Sequence, residues 1–465
     1  MNIIILTVSL FTIVLAGFFL VDIFIPKSNI LERISLGFLV GTNIFTILLL
    51  LLNWKFSVVY NLPNSLVIIA GFLILSSLLN LVIRKMNKIK EWNLRLNINF
   101  MKLTLLEKII VGILLILVSS VVISNFYWPV KDWDALAVYD FKAISFSATG
   151  YMDDAIGRGY FTAYPMFGTL MHTFIYLTGV SSPMFFYSIL YISMLGAFYF
   201  LLRKISGKTQ SLVGVLILAS NPLIFDHASM AYQNLPYTIY FALGIIYVSL
   251  GLGNKNRSYL LLGGLVFALS NWVRLEFFLF FYLVIGLHII RTVITKKYNK
   301  KMIIPIIFSC VFVYLVRYLW QGFIADKFNT DSVNIGKSMW VYIQTFLQIP
   351  SVDQISILLN YVLKGFGVTF SLLPIPYLLY LPYLAYNHRA IFMDKLEILL
   401  LPLLGMIYII VGSYTFSLLY AGWVDILESF YRLIMVFIPI YIYTILSIMT
   451  HLGINKNNIG IHNHE

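Results

Sequence analysis

Two carboxylates separated by one residue, Asp132 and Asp134, lie in the run Trp128-Pro129-Val130-Lys131-Asp132-Trp133-Asp134-Ala135-Leu136-Ala137-Val138-Tyr139-Asp140-Phe141-Lys142. In an extended segment alternate side chains share a face, so this pair could present both carboxylates to one substrate hydroxyl, as general base and orienting partner, or to a divalent metal. Two carboxylates alone do not specify a metal. Asp134 would serve equally as the N-cap of a helix running through Ala135 to Phe146, satisfying its first N–H groups.

Four further groups of polar residues interrupt apolar sequence. Tyr160-Phe161-Thr162-Ala163-Tyr164-Pro165 reads as interface anchors and a turn. Asp226-His227-Ala228-Ser229-Met230-Ala231-Tyr232-Gln233-Asn234-Leu235-Pro236 reads as a solvated turn, with Pro236 in the first turn of the next helix. Asn271-Trp272-Val273-Arg274-Leu275-Glu276 places an Arg and a Glu between two apolar runs with almost no loop. They suit a mutual ion pair, or an Arg that binds phosphate oxygens through two N–H groups. In Glu428-Ser429-Phe430-Tyr431-Arg432, Arg432 lies just inside an apolar run and needs a partner, either Glu428 or a bound phosphate. Arg317 and Lys364 are weaker candidates of the same kind.

The elements that must hold these residues are membrane helices. The 465 residues are 60% hydrophobic and 11% charged, with a mean hydropathy of +0.89, whereas a soluble domain carries roughly 25% charged residues. Continuous apolar runs near 20 residues recur along the chain, which excludes a β-barrel with its alternating pattern. The predicted fold class is therefore all-α, a polytopic transmembrane bundle of about 13 spans, near residues 3–24, 34–53, 63–83, 109–126, 183–202, 211–225, 235–250, 259–272, 277–290, 302–320, 366–386, 398–416 and 433–449. The first run has no basic residue before it, unlike a cleaved signal peptide, and reads as a retained helix. The lone Cys310 lies inside an apolar run and says nothing of redox compartment. His462 and His464 in the polar tail are too few for a metal site.

The net charge of +13 comes from Lys and Arg bunched on alternate loops, which argues for membrane topology and against nucleic acid as a partner. Lys27 and Arg33, Arg84 through Lys108, Arg203 through Lys208, Lys255 and Arg257, Arg291 through Lys301, Arg389 and Lys395, and Lys456 share one side. The positive-inside rule makes that side cytoplasmic. The opposite loops hold Lys55, Lys131, Lys142, Arg158, Arg274, Lys327 and Lys337. The alternation closes only if 164–178 does not cross, so this stretch is expected to lie as a juxtamembrane helix against the outer surface, within an outer loop over 127–182. A second long outer segment runs from Gln321 to about Lys364. The chain thus divides into N-terminal helices with a basic loop at 1–108, a core at 109–320, and an outer loop with C-terminal helices at 321–465.

The order of these groups resembles the GT-C superfamily of integral-membrane glycosyltransferases, above all the protein O-mannosyltransferases and the Rgt-type lipopolysaccharide sugar transferases. Trp133-Asp134-Ala135-Leu136-Ala137-Val138-Tyr139-Asp140-Phe141-Lys142-Ala143 looks like their first outer-loop motif, and Tyr164-Pro165 like the Tyr-Pro that follows it. Gln233-Asn234-Leu235-Pro236 is similar to an Ala-Asp-Leu-Pro pattern, with Asn234 where relatives often carry Asp. Trp272-Val273-Arg274-Leu275-Glu276 is similar to a Trp-Thr-Lys-x-Glu pattern, and no acid or His immediately precedes Tyr164-Pro165. The likeness spans roughly 109–290, with the final helix more loosely.

This resemblance implies transfer of a sugar from a polyprenyl-phosphate donor to an acceptor (protein, lipid or cell-envelope glycan) on the outer face of a bacterial or archaeal cytoplasmic membrane. It implies Asp134 as general base with Asp132 as its understudy or orienting partner. Lys142, Arg274 and Arg432 would contact phosphate, and Tyr164, Asn234 and Glu276 would shape the sugar pocket. No cofactor is required on this reading, and a divalent metal enters only through the Asp pair; there is no Walker-type phosphate loop. A transporter would instead place its ionisable groups near the midplane on repeated, broken helices. A polysaccharide polymerase or ligase would draw Arg and His from a large outer loop, and the segment from Gln321 to Lys364 holds neither.

Overall fold

The computed structural model describes residues 2–87, 103–152, 164–296, 299–328, 374–419 and 432–451, together with 356 and 360. Tyr160 to Ala163, the segment from 329 toward Lys364, Glu428 and the histidine-bearing tail lie outside the described residues. Helices account for every regular element described, with no strand among the described residues.

The helices are α1 (Asn2–Phe24), α2 (Ile30–Phe56), α3 (Leu62–Met86) and α4 (Leu105–Tyr127), then a π-helix (Ala135–Asp140) running into α5 (Phe141–Thr149) and α6 (Phe167–Leu177). They continue with α7 (Met184–Leu202), α8 (Lys208–Ser220), α9 (Pro222–His227), α10 (Asn234–Gly253), α11 (Arg257–Val273), α12 (Phe278–Thr295) and α13 (Ile303–Phe328). The C-terminal part holds α14 (Pro374–Asn387), α15 (Arg389–Asp394), α16 (Leu396–Leu419) and α17 (Ile438–His451). Among the described residues nine helices are long and apolar enough to cross a bilayer, so the chain is a helical membrane protein. The remaining expected spans fall on α8, α11, α14 and α16: α8 and α11 have only 13 and 17 residues, and the described residues do not cover the whole of the stretches expected around α14 and α16.

α10 is the axis of the bundle, buried on every side, while α3 and α4 turn large apolar side chains such as Leu75 and Ile116 outward, 69% and 67% exposed. That is the expected division, since lipid is as apolar as leucine and gives helices no hydrophobic reason to associate. Close backbone approach replaces it. Gly17 of α1 lies against Gly37 and Gly41 of α2, and Gly244 and Gly251 of α10 against α11, where a methyl group would collide with the facing backbone. Polar ties add register: Trp272 Nε1 donates to Thr46 Oγ1 at 2.9 Å and Asn43 Nδ2 to the Leu269 carbonyl at 3.1 Å, joining α2 to α11.

The bundle has two polar ends. At one, Asp22 on α1 accepts from Arg33, from Arg84 Nη1 at 2.6 Å and from Asn80 Nδ2 at 3.0 Å, clasping α1, α2 and α3. Glu32 at the same end takes the Tyr247 hydroxyl at 2.6 Å and Lys204 Nζ at 3.0 Å. This end carries the basic turns. The other end gathers the loop after α4, the starts of α10 and α12, the end of α11 and the approach to α17.

α6 departs from the expected surface position. Its 11 residues reach about 16 Å at 1.5 Å each, too short to cross, yet the helix is buried among α2, α5 and the π-helix rather than laid on the surface. Its polar members, Thr169, His172, Thr173 and Tyr176, form one stripe at helical spacing, and three of them are bonded inside the bundle: Thr173 to the Thr169 carbonyl, and His172 and Tyr176 to Asp140.

Candidate functional site

The chain after Asp132 is helical, not extended. Leu136 N donates to the Asp132 carbonyl at 2.9 Å, and Asp134 has φ −61° and ψ −37°. Asp132 precedes this helix and Asp134 lies in its first turn, so the extended alternation that would align the two carboxylates is absent, although both charges act on Tyr232. Nor does Asp134 cap: it makes no side-chain capping bond. Its Oδ2 instead accepts from Arg432 Nη1 at 2.6 Å, across 298 positions of sequence. Arg432 therefore has a partner other than the expected Glu428, which lies outside the described residues. Burial pushes the Asp132 carboxyl up, with Lys131 opposing and Asp134 adding to it.

The π-helix that follows is the local device behind this placement. Phe141 N reaches the Leu136 carbonyl five residues back, and such widened turns recur at functional sites because they rotate side chains out of α register. Here it directs Tyr139 and Asp140 inward, both under 5% exposed. Asp140 Oδ1 accepts from His172 Nδ1 at 2.9 Å and from the Tyr176 hydroxyl at 2.7 Å, and His172 Nε2 is hydrogen-bonded with the Tyr187 hydroxyl at 3.0 Å. This buried chain fixes the π-helix to α6 and α7. Lys142, expected at an open phosphate site, is 1% exposed, and burial pulls its ammonium down to about 7. It is not a permanent surface cation.

A second cluster forms where α11 meets α12. Arg274 Nε and Nη2 donate to Glu276 Oε1 at 2.8 and 2.6 Å, and Nη1 donates to Asn234 Oδ1. Its guanidinium lies 4.8 Å from the centre of the Tyr164 ring, which leans on Tyr139. The mutual ion pair expected for Arg274 and Glu276 is present, and Tyr164 and Asn234 join it from distant positions. Because Asn234 is neutral, Arg274 faces one carboxylate there rather than two.

Tyr232 and His227 connect the clusters, and neither stood out in the sequence, where their segment reads as a solvated turn. Tyr232 lies under the Arg432 guanidinium at 5.5 Å, and its hydroxyl is pushed up by burial and by the charges of Asp134 and Asp132. His227 is 5% exposed. Its Nδ1–H donates to the Leu223 carbonyl at 2.9 Å, which leaves Nε2 as an acceptor with no partner among the described residues. Burial, then the charges of Arg432 and Arg274, lower it to about 4, so the ring is neutral near pH 7. The clue available earlier was a His at a chain reversal beside an aromatic residue, which is weak.

Among the described residues the arrangement offers a half-exposed carboxylate, a guanidinium on Asp134, a guanidinium on Glu276, and a neutral imidazole acceptor. An anion that took the place of Asp134 on Arg432, or of Glu276 on Arg274, would release a carboxylate able to accept a proton. Among the described residues no three His, Cys, Asp or Glu converge as a metal site. No protein-family model, curated protein or solved structure matches the chain.

Proposed function

We propose that the protein is a glycosyltransferase of GT-C type that moves a sugar from a polyprenyl-phosphate donor to a hydroxyl acceptor at the Asp134 end of the bundle. The observation that supports it most directly is the pairing of Asp134 with Arg432 in place of a helix cap. On this reading the donor phosphate binds Arg432 and releases Asp134. The freed carboxylate takes the proton from the acceptor hydroxyl as its oxygen bonds to the anomeric carbon. The bond from that carbon to the phosphate oxygen breaks, and polyprenyl phosphate leaves with its charge held by arginine. Fixed cations aimed at the departing phosphate favour such a leaving group, and a carboxylate within reach of the hydroxyl is the required base.

Arg274, held by Glu276 and Asn234 and stacked on Tyr164, is the second headgroup contact, and those partners form the wall facing the sugar. Asp132 orients the acceptor, and Lys142 serves as a buried, proton-sensitive support. The Asp134 end faces away from the cytoplasm, since the basic turns lie at the other. The bundle has about 13 spans in all, in a bacterial or archaeal cytoplasmic membrane.

The experiment is transfer of labelled sugar from a panel of polyprenyl-phosphate sugars to endogenous membrane acceptors. Label moved by wild type and not by Asp134→Asn supports the reaction and the base together. Absence of transfer from every donor, with both proteins folded, overturns it and leaves a transporter, testable by uptake, as the next reading.

A further inference from the structure

Arg317 carries a charge inside the apolar run of α13 and takes no part in the pairing of Asp134. Gln321, where that run gives way to polar residues, follows four residues later, about 6 Å along the helix. A charge at such a depth is costly unless it snorkels or finds a partner. Arg33, Arg84, Arg274, Arg291 and Arg432 each form an ion pair with a carboxylate. Among the described residues Arg317 forms none, and its contacts are of another kind.

Those contacts fix the guanidinium. Nη1 donates to the Leu275 carbonyl at 3.1 Å, at the corner between α11 and α12, and Cζ lies 3.5 Å from the centre of the Phe278 ring at the start of α12. Nε is sealed without a partner. The charged and titratable groups that act on Arg317 are Glu276 and the hydroxyls of Tyr237, Tyr282 and Tyr408. Glu276 already takes two N–H groups of Arg274. The phenols are engaged elsewhere: Tyr282 and Tyr408 donate to the carbonyls of Cys310 and Glu276, and Tyr237 accepts from Phe277 N. Nη2 and the second hydrogen of Nη1 therefore remain for an acceptor from outside the bundle.

Outside this face is lipid. Arg317 is itself partly exposed. Tyr314 and Tyr318, three residues before it and one after, are both 58% exposed and stack with their rings 5.9 Å apart, and Leu315 turns outward beside them. Tyrosine on the outer face of a transmembrane helix suits the level where acyl chains meet headgroups. A soluble anion gains nothing from this apolar face, whereas a phospholipid meets all of it, phosphate on the guanidinium and acyl chains along Leu315 and the two rings. Arginine binds phosphate oxygens through paired N–H groups.

We infer that Arg317 binds the phosphate of an anionic phospholipid seated on the lipid-facing side of α12 and α13, at the Asp134 end of the bundle. The inference does not depend on the reaction proposed for that end.

The test places full-length protein in phosphatidylcholine nanodiscs with a small fraction of phosphatidylglycerol that carries a photoactivatable acyl chain, and maps the label by peptide mass spectrometry. The α13 peptide around Leu315 should be labelled more by this probe than by phosphatidylcholine with the same chain, while the outward face of α4 around Ile116 serves as the reference. Arg317→Gln should lower the α13 label about fivefold, one near-interface cation being lost, and leave the α4 label unchanged. Arg317→Lys should restore most of it. Thermal unfolding shows whether each variant is folded; should Arg317→Gln fail to fold, the comparison of the two probes on wild type decides alone. Equal labelling by the two probes, or undiminished labelling of folded Arg317→Gln, overturns the site. Unlabelled phosphatidylglycerol should displace the probe. Displacement by millimolar inorganic phosphate, or by polyprenyl phosphate at far lower concentration than phosphatidylglycerol, identifies a different occupant and overturns the phospholipid assignment.

Discussion

Replacing Asp134 by Asn removes one negative charge and nothing else of size, and the surroundings of that carboxylate set what should follow. Asp134 and Arg432 side chains are 36% and 20% exposed. Ion pairs so wetted contribute about 0.2–1 kcal/mol to stability, so the variant should insert, fold and melt close to wild type. Its effect on transfer should be far larger. Loss of a positioned general base costs roughly 10²–10⁴ in rate, which corresponds to about 3–5 kcal/mol of barrier. The assay is initial rate of labelled-sugar transfer in detergent, run beside thermal unfolding of the same preparation. Arg432→Gln should lose about 10²–10³ through its contact with the departing phosphate. The exchange Asp134→Arg with Arg432→Asp separates catalysis from architecture, because it rebuilds the ion pair with the carboxylate on the wrong helix. Transfer restored by that exchange, or a stability loss in Asp134→Asn well above 1 kcal/mol, would refute the base assignment and leave a structural tie.

Arg274→Lys keeps the charge but loses the planar fork that reaches Glu276 twice, Asn234 once and the Tyr164 face; hydrogen bonds to charged groups contribute about 1.5–3 kcal/mol, so the donor KM should rise about tenfold to hundredfold, and an unchanged KM removes Arg274 from the site. Lys142 gives a pH signature: with its buried ammonium at about 7, the unfolded chain binds the extra proton between about pH 7 and the ordinary lysine value, so stability should rise with pH across that window, by at most about 1.4 kcal/mol per unit. Thermal midpoints at pH 7 and pH 9 should therefore differ in wild type and lose much of that difference in Lys142→Met. At the basic end, Asp22→Asn leaves Arg33 and Arg84 buried without their carboxylate, a loss of roughly 3–5 kcal/mol; it should show as a sharply lower melting temperature and yield, and wild-type stability would mean that the clasp is incidental.

Much of the architecture was legible because its cause is local. A run such as 3–24 must be a helix in lipid, where no other conformation satisfies its own backbone, and the bunching of Lys and Arg on alternate turns assigns each helix end to one of two faces. Pairs close in sequence were legible too: Arg274 and Glu276 meet as their spacing suggests. Alternation failed for Asp132 and Asp134 because the segment is helical, and capping failed for Asp134 because a stronger acceptor role was available to it. The surface position expected of α6 failed because its polar stripe finds partners inside the bundle, where His172 and Tyr176 both bond Asp140.

The sequence by itself determined that this chain is a helical membrane protein with polar ends and apolar flanks, since hydropathy and charge act over one or two turns of helix. Only the tertiary structure decided that Asp134 meets Arg432 from 298 residues away, that His227 is buried with an open acceptor between two arginines, and that Lys142 is withdrawn from water. Those outcomes depend on which helix ends the bundle brings together and on a π turn that rotates Tyr139 and Asp140 inward. Composition and spacing carry no record of either, because the partners lie far apart along the chain and each contact is fixed by packing rather than by neighbouring residues.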